Sequence, residues 1–273
     1  MYIIREKRKG GADVILFTDL DGTLLENGKV KTQKDIDALH QFQDAGGIVA
    51  ICTGRSKFEV VPAIEQGLPY NYMILNNGGE IYDGEKAIIE HRISQKAGVE
   101  ILDMLVKEKH LYSYFANDDE QLSYYQGKCA YFPSHKPTDL DFIDEYHRSH
   151  GFTILCTHQD TDDFSITQKY MDIINENYRD EATAHRNEIF LDIVPAHCSK
   201  GTGIKDLVHY LGDKHRTFGI GDSYNDLSMI EMCDVGATFH FSDLSIKEKV
   251  QKSYSYVYEF IDDILGGYYE LER

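Results

Sequence analysis

Four short apolar runs constrain this chain more than any other feature. Val14–Phe17, Ile48–Ile51, Tyr72–Leu75 and Thr217–Ile220 each break directly into a polar, glycine-bearing turn. Consecutive apolar residues without alternation suit strands buried on both faces, as in a parallel sheet. Between the first two runs, Thr32 with Asp35 gives a helix-start signal. Ile36, Leu39 and Phe42 follow at helical spacing, and Gly46-Gly47 ends the helix. A second helical stretch, about 56–66, leads to the third run. The order strand, helix, strand, helix, strand predicts an α/β fold, a parallel sheet with helices on both faces.

The pattern changes after about residue 83. Leu111–Phe115 and Gln121–Tyr125 alternate apolar and polar residues, which predicts an antiparallel sheet with one packed face. Helices are expected near 95–110, 138–150 and 170–184, and further strands at 152–156 and 164–166. Residues 83–191 therefore read as an inserted α+β domain, and residues 1–82 with 192–273 as the parallel core. The last run, Thr217–Ile220, restores the core pattern. Helices are expected around it at 203–211 and up to 232, and another near 260–269.

Composition excludes some functions. The 273 residues carry 46 acidic and 28 basic side chains, a formal net charge of -18. That argues against a nucleic-acid partner, which needs a basic footprint, and against docking on anionic lipid. No apolar run is long enough to cross a membrane, and the first residues lack a signal-peptide core. Five widely spaced cysteines without a CxxC point to a reducing, cytoplasmic setting rather than a disulfide framework. The 12 histidines form no HExxH or HxxxH pattern.

The polar clusters that follow the apolar runs are Asp19/Asp21, Thr53-Gly54 and Asp222/Asn225/Asp226, and Lys200 opens a helix after a strand. In an open parallel sheet ligands bind beyond the carboxyl ends of the strands, so these residues can converge although they are far apart in sequence. Two carboxylates two residues apart repel unless a cation lies near them, and a hard divalent ion such as Mg2+ suits oxygen ligands. A hydroxyl with bare backbone N–H groups at Thr53-Gly54 suits phosphate. Ser199–Gly203 does not have P-loop geometry, since its lysine precedes the glycine, and Gly219, Gly221 and Tyr224 miss the dinucleotide spacing.

Phe17–Leu24 resembles motif I of the haloacid dehalogenase superfamily, hhhDxDGT. Thr53 resembles motif II, Lys200 motif III and Gly221–Asp226 motif IV, GDxxND, all in family order. About 30 residues separate motifs I and II, and about 145 separate Thr53 from Lys200. That leaves room for a large cap domain at the second insertion point. With Asn76–Gly79, the layout is similar to Cof-type sugar phosphatases, subclass IIB. The resemblance implies a Rossmann-like core and a Mg2+-dependent phosphatase of small phosphorylated metabolites, sugar phosphates foremost.

The resemblance also implies roles. Asp19 is the nucleophile that forms an aspartyl-phosphate, and Asp21 the general acid and base. Mg2+ is held by Asp19, the Asp21 carbonyl and Asp222. The Leu20 N–H, Thr53, Gly54, Lys200 and Asn225 grip the phosphoryl group. Asp226 orients Lys200 or a metal-bound water. Phosphomutases share these motifs, and a non-catalytic phosphometabolite-binding protein is a further alternative, although such proteins usually lose a motif I aspartate. After motif IV the segment Val235–Asp243 departs from the Gly-Val-Ala-Met-Gly-Asn-Ala-like run usual in Cof-type members. The cap is expected to select the substrate. Tyr112, Tyr114, Tyr124 and Tyr125 are candidates for stacking on it, with packing against cap helices the competing reading. His135, Lys136 and Asp139 are candidates for a loop facing the core.

Overall fold

The computed structural model describes residues 14–108, 111–116, 121–124, 147–159, 165–187 and 190–271. It divides into two units, Met1–Ile89 with Ser199–Arg273, and Glu90–Cys198.

The first unit is built on eight strands. Val14–Thr18 (β1), Ile48–Cys52 (β4), Tyr72–Leu75 (β5), Arg216–Ile220 (β13), Val235–Phe239 (β14) and Ser253–Tyr254 (β15) run parallel. Glu80–Asp83 (β6) turns back antiparallel to β5, and Lys86–Glu90 (β7) follows at the edge. The order is β15-β14-β13-β1-β4-β5-β6-β7. β1 is central, with Thr18 opposite Ile220 on one side and Ile51 on the other. Its side chains divide between two cores: Leu16 packs with Leu39, Phe42, Phe218 and Phe260, and Ile15 and Phe17 pack with Ile74, Ile204 and Met229. This burial on both faces is why the strand reads as an unbroken apolar run.

Helices cover the sheet. Gln33–Asp44 (α1) starts at Thr32, whose hydroxyl accepts from the Lys34 N–H. Asp35 does not reach back to Thr32 as a capping box would. It is buried, and its Oδ1 accepts from the Tyr258 N–H at 2.9 Å. It thereby joins α1 to the start of the C-terminal helix Val257–Leu265. Lys57–Ile64 (α2) carries a true capping box, Ser56 with Glu59. After β1 the chain makes a small hairpin, Leu25–Glu26 (β2) and Lys29–Val30 (β3), whose Asn27-Gly28 turn has both φ angles positive. That dipeptide is a strong hairpin signal, which the sequence reading passed over.

The second unit is an antiparallel sheet. Leu111–Ala116 (β8), Gln121–Tyr124 (β9), Ile154–Gln159 (β10), Ala182–Asn187 (β11) and Phe190–Pro195 (β12) lie in the order β11-β12-β10-β8-β9. Gln95–Leu105 (α3) and Ser165–Asn177 (α4) supply its core with Ile101, Leu102, Tyr170 and Ile174. The division falls about seven residues later at each end than the sequence boundaries. β6 and β7 continue the first sheet, and β12 hydrogen-bonds within the second.

Two local expectations are corrected. The helix expected at 170–184 lies at Ser165–Asn177, where Thr167, Tyr170 and Ile174 are buried at helical spacing. Ser165 and Ile166, expected in a strand, open it. Residues 182–187 form a strand instead, with Ala182 and Ala184 buried in alternation. The helix expected at 138–150 falls mostly outside the described residues. Among those described, Cys52, Cys156, Cys198 and Cys233 are buried, and no helix is long and apolar enough to cross a membrane.

Candidate active site

Because β1, β4 and β13 are parallel neighbours, the residues just past their ends meet along one edge of the sheet. Asp19 continues β1, with its N–H donating to the Ile220 carbonyl at 3.1 Å. Asp222 lies just past β13. Lys200 is the first residue of the helix Lys200–Tyr210 (α5), which Ser199 caps through the Thr202 N–H.

Lys200 binds the site together. Its Nζ donates to Asp19 Oδ1 at 2.6 Å and to Asp226 Oδ1 at 2.5 Å, and its side chain is 1% exposed. Asp226 uses its other oxygen as a clasp, accepting from the N–H groups of Asp222 and Ser223, each at 2.9 Å. Asp222 Oδ1 accepts from the Thr23 hydroxyl at 2.9 Å. One carboxylate oxygen from each of Asp19, Asp222 and Asp226 lies within 4.8 Å of the others.

The electrostatics follow from this crowding. Burial pushes the Asp19 carboxyl up to about 8, with Asp226 and Asp222 adding to the rise and Lys200 pulling against it. Burial likewise raises Asp222 to about 6, Asp226 contributing. Burial alone would discharge Lys200, but Asp19 and Asp226 outweigh it and hold the ammonium charged above its ordinary range. One ammonium for three carboxylates leaves the cluster short of positive charge. A hard divalent cation among the oxygens would relieve the repulsion and favour ionised Asp19. The donor set therefore fits Mg2+.

Two glycines permit this geometry. Gly22 has φ +79°, and a Cβ on it would lie 2.3 Å from Asp222 Oδ2. Gly78 has φ +96°, and a Cβ there would lie 2.2 Å from the Ser199 carbonyl oxygen. The Asn76–Gly79 segment thus lets the start of α5, and with it Lys200, approach the sheet. Its backbone also buttresses motif II, Asn77 N donating to the Thr53 carbonyl and Asn76 N to that of Arg55.

The remaining predicted residues are placed as follows. Thr53 is buried at the end of β4, its hydroxyl accepting from the Arg55 N–H at 3.2 Å, with Gly54 half-buried beside it. Asn225 is half-buried, its Oδ1 accepting from the Ser223 hydroxyl. The Leu20 side chain is buried in the core. Asp21 does not share the carboxylate cluster. Its side chain is 54% exposed and held by both arms of Arg55, Nε at 2.7 Å and Nη2 at 2.6 Å. The two motif I carboxylates are thus separated by environment, one buried against Lys200 and one open and forked by arginine.

Arg55 is the residue that sequence reasoning missed. The signal was present, since it directly follows Thr53-Gly54. Tyr112 and Tyr114 lie on β8 and Tyr124 on β9. Tyr125, His135, Lys136 and Asp139 fall outside the described residues.

Known proteins match this arrangement. A family model described as haloacid dehalogenase-like hydrolase covers residues 16–258. The chain is 28% identical to the 5-amino-6-(5-phospho-D-ribitylamino)uracil phosphatase YwtE of Bacillus subtilis, over 92% of this chain and 98% of that protein. It is 27% identical to phosphatase YwpJ of the same organism, over 81% and 87% of the two chains. A haloacid dehalogenase-like hydrolase structure from Bacteroides thetaiotaomicron has TM-score 0.75 at 20% identity, covering 92% of this chain and 99% of that one. The structure of the subclass IIB sugar phosphatase BT4131 also has TM-score 0.75, at 19% identity, with 94% and 99% covered. Motif order, sheet topology and a family match across nearly the whole chain agree, and the chain belongs to the haloacid dehalogenase-like hydrolases.

Proposed function

We propose that the protein hydrolyses small phosphorylated metabolites, sugar phosphates foremost, through an aspartyl-phosphate on Asp19, with Mg2+ as cofactor. The observation that carries this reading is the buried Lys200 ammonium held between Asp19 and Asp226, with Asp222 beside them. A nucleophilic carboxylate must approach a phosphate dianion, and like charges oppose it. The work of the site is therefore positioning and neutralisation.

Asp19, Asp222 and the Asp21 carbonyl would hold Mg2+, which would supply positive charge to the phosphoryl oxygens. Lys200 keeps Asp19 oriented and adds a second positive charge. The N-terminus of α5, where Lys200 sits, adds its dipole. Thr53, Gly54, Asn225 and the Leu20 N–H are the proposed phosphoryl donors. Asp226 positions Lys200 and shapes the turn that carries Asp222.

Asp19 attacks phosphorus, the ester P–O bond breaks, and Asp21 gives its proton to the departing oxygen. Asp21 then takes a proton from water, which attacks the aspartyl-phosphate and releases inorganic phosphate and free Asp19. The exposure of Asp21 suits exchange with both leaving group and water. The name of the Bacillus subtilis relative, a phosphatase of a phosphorylated ribitylaminouracil, supports a small metabolite carrying a phosphorylated polyol chain.

Phosphate release from p-nitrophenyl phosphate and from a panel of sugar phosphates, with Mg2+ and with EDTA, tests this. Release with Mg2+ that EDTA abolishes is expected. Phosphate transferred to a second sugar, with none released, would make the protein a mutase instead. No turnover of any ester would leave it a binding protein.

A further inference from the structure

A cavity of about 350 Å³ opens beside Asp21, within the first unit. That volume falls in the range of small-molecule sites. Its walls include Asp21 and Gly22, Glu26 and Asn27 of the small hairpin, and Lys31 and Phe241. We infer that Phe241 is a specificity-determining residue, the face on which the leaving group of the substrate stacks, and that this subsite favours phosphate esters whose leaving group carries a planar ring. The inference rests on the phosphatase reading above, with Asp21 as the acid.

The oxygen that departs from phosphorus must come within hydrogen-bond reach of the acid that protonates it. Whatever is attached to that oxygen then occupies space next to Asp21. This cavity is such a space, and Asp21 forms part of its wall.

Phe241 is 60% exposed, whereas Phe17, Phe42, Phe239 and Phe260 are fully buried. Its ring is stacked on that of buried Phe239, centroids 5.1 Å apart and planes within 15°. The stack fixes its orientation, so little side-chain freedom would be lost on binding. The Lys31 ammonium lies 4.8 Å from the Phe241 centroid and 5.3 Å from that of Phe239. It stands over both rings of the stacked pair, and Phe241 remains 60% exposed. Lys31 is anchored in turn on the Gly22 carbonyl. An exposed aromatic ring held by a stack, on the wall of a cavity and with a cation close by, is suited to packing against a flat ring.

Phe241 lies in Val235–Asp243, the segment after motif IV that departs from the run to which the rest of the motif layout is similar.

The test compares p-nitrophenyl phosphate, whose leaving group is a ring, with acetyl phosphate, whose leaving group is not. Both leaving groups depart without much help from an acid, so the comparison isolates binding of the leaving group. Phe241→Ala is expected to lower kcat/KM for the ring ester by about 3- to 10-fold, mostly through KM. It should leave acetyl phosphate within about twofold of wild type, and Phe241→Tyr should restore the ring ester. Unfolding midpoints of both variants check the fold, and the exposed position predicts no change. An equal loss on both esters, or no loss on either, would overturn the inference while leaving the phosphatase reading intact. Failure of the wild type to release phosphate from either ester would overturn both.

Discussion

Replacing Lys200 by Met removes one ammonium from among three carboxylates while keeping most of the buried volume. With carboxylate oxygens no more than 4.8 Å apart, each ionised pair repels by about 3.5 kcal/mol at an effective dielectric of ~20. Breaking a buried ion pair from one side typically costs about 3–5 kcal/mol, because the partner is left charged and unpaired. At neutral pH without metal the variant should therefore unfold roughly 10 °C below wild type.

The sign of the pH effect follows from the carboxylates. Without Lys200 the folded pKa values of Asp19 and Asp222 rise further above the unfolded value, so the folded state holds extra protons. Stability is then lost as pH rises, and the deficit should be largest at neutral pH and fade towards about pH 4. Mg2+ should raise the midpoint of the variant more than that of wild type, since it relieves the same repulsion. Thermal unfolding followed by circular dichroism, with EDTA and with Mg2+, reads all three effects. A variant that melts within about 2 °C of wild type in EDTA at neutral pH would refute the argument that Lys200 is what lets these carboxylates share one buried site.

Asp21→Asn should slow turnover of sugar phosphates about 10²–10⁴-fold. With p-nitrophenyl phosphate it should give a burst of at most one nitrophenol per site, followed by a slow steady state. No burst, together with rescue by excess Mg2+, would recast Asp21 as a metal ligand. Gly22→Ala forces a Cβ to within 2.3 Å of Asp222 Oδ2 at a positive φ, so the Mg2+ concentration for half-maximal activity should rise. An unchanged Mg2+ dependence would show that Asp222 does not hold the metal. Asp35→Asn tests the link to the C-terminal helix. Burial raises Asp35 from 3.8 to about 6, so its folded form holds the extra proton between those values and its contribution to stability falls as pH rises through them. The variant should compare more favourably with wild type above about pH 6 than below about pH 4 in urea unfolding, and a pH-independent difference would contradict this.

The parallel core was legible because its strands are buried on both faces. Val14–Phe17 and Ile48–Ile51 have no polar side to disguise them, and the residues after them had to meet at one edge. Asp19, Lys200 and Asp222 could be placed for the same reason. The second unit was harder to read. β11 contains His185, Arg186 and Asn187, and its buried residues are alternate alanines, Ala182 and Ala184, so its signal merges with the helix before it. The partnership of Asp21 with Arg55 was hidden for a different reason. Sequence places both carboxylates of motif I near one point, but the turn at Gly22 directs their side chains to different partners, and no local pattern reports that. Asp35 is a similar case: its spacing from Thr32 suggests a local cap, yet its partner Tyr258 is 223 residues away.

In the proposed mechanism Asp19 carries the phosphoryl group between substrate and water. The most direct measurement is mass spectrometry of the Asp19 peptide after rapid quenching of Asp21→Asn with p-nitrophenyl phosphate, since slow hydrolysis should let the intermediate accumulate. A phosphoryl group on Asp19 is expected, absent when Asp19→Asn is added to the same protein. Phosphate on any other residue, or none on Asp19 while p-nitrophenol is released in a burst, would contradict it.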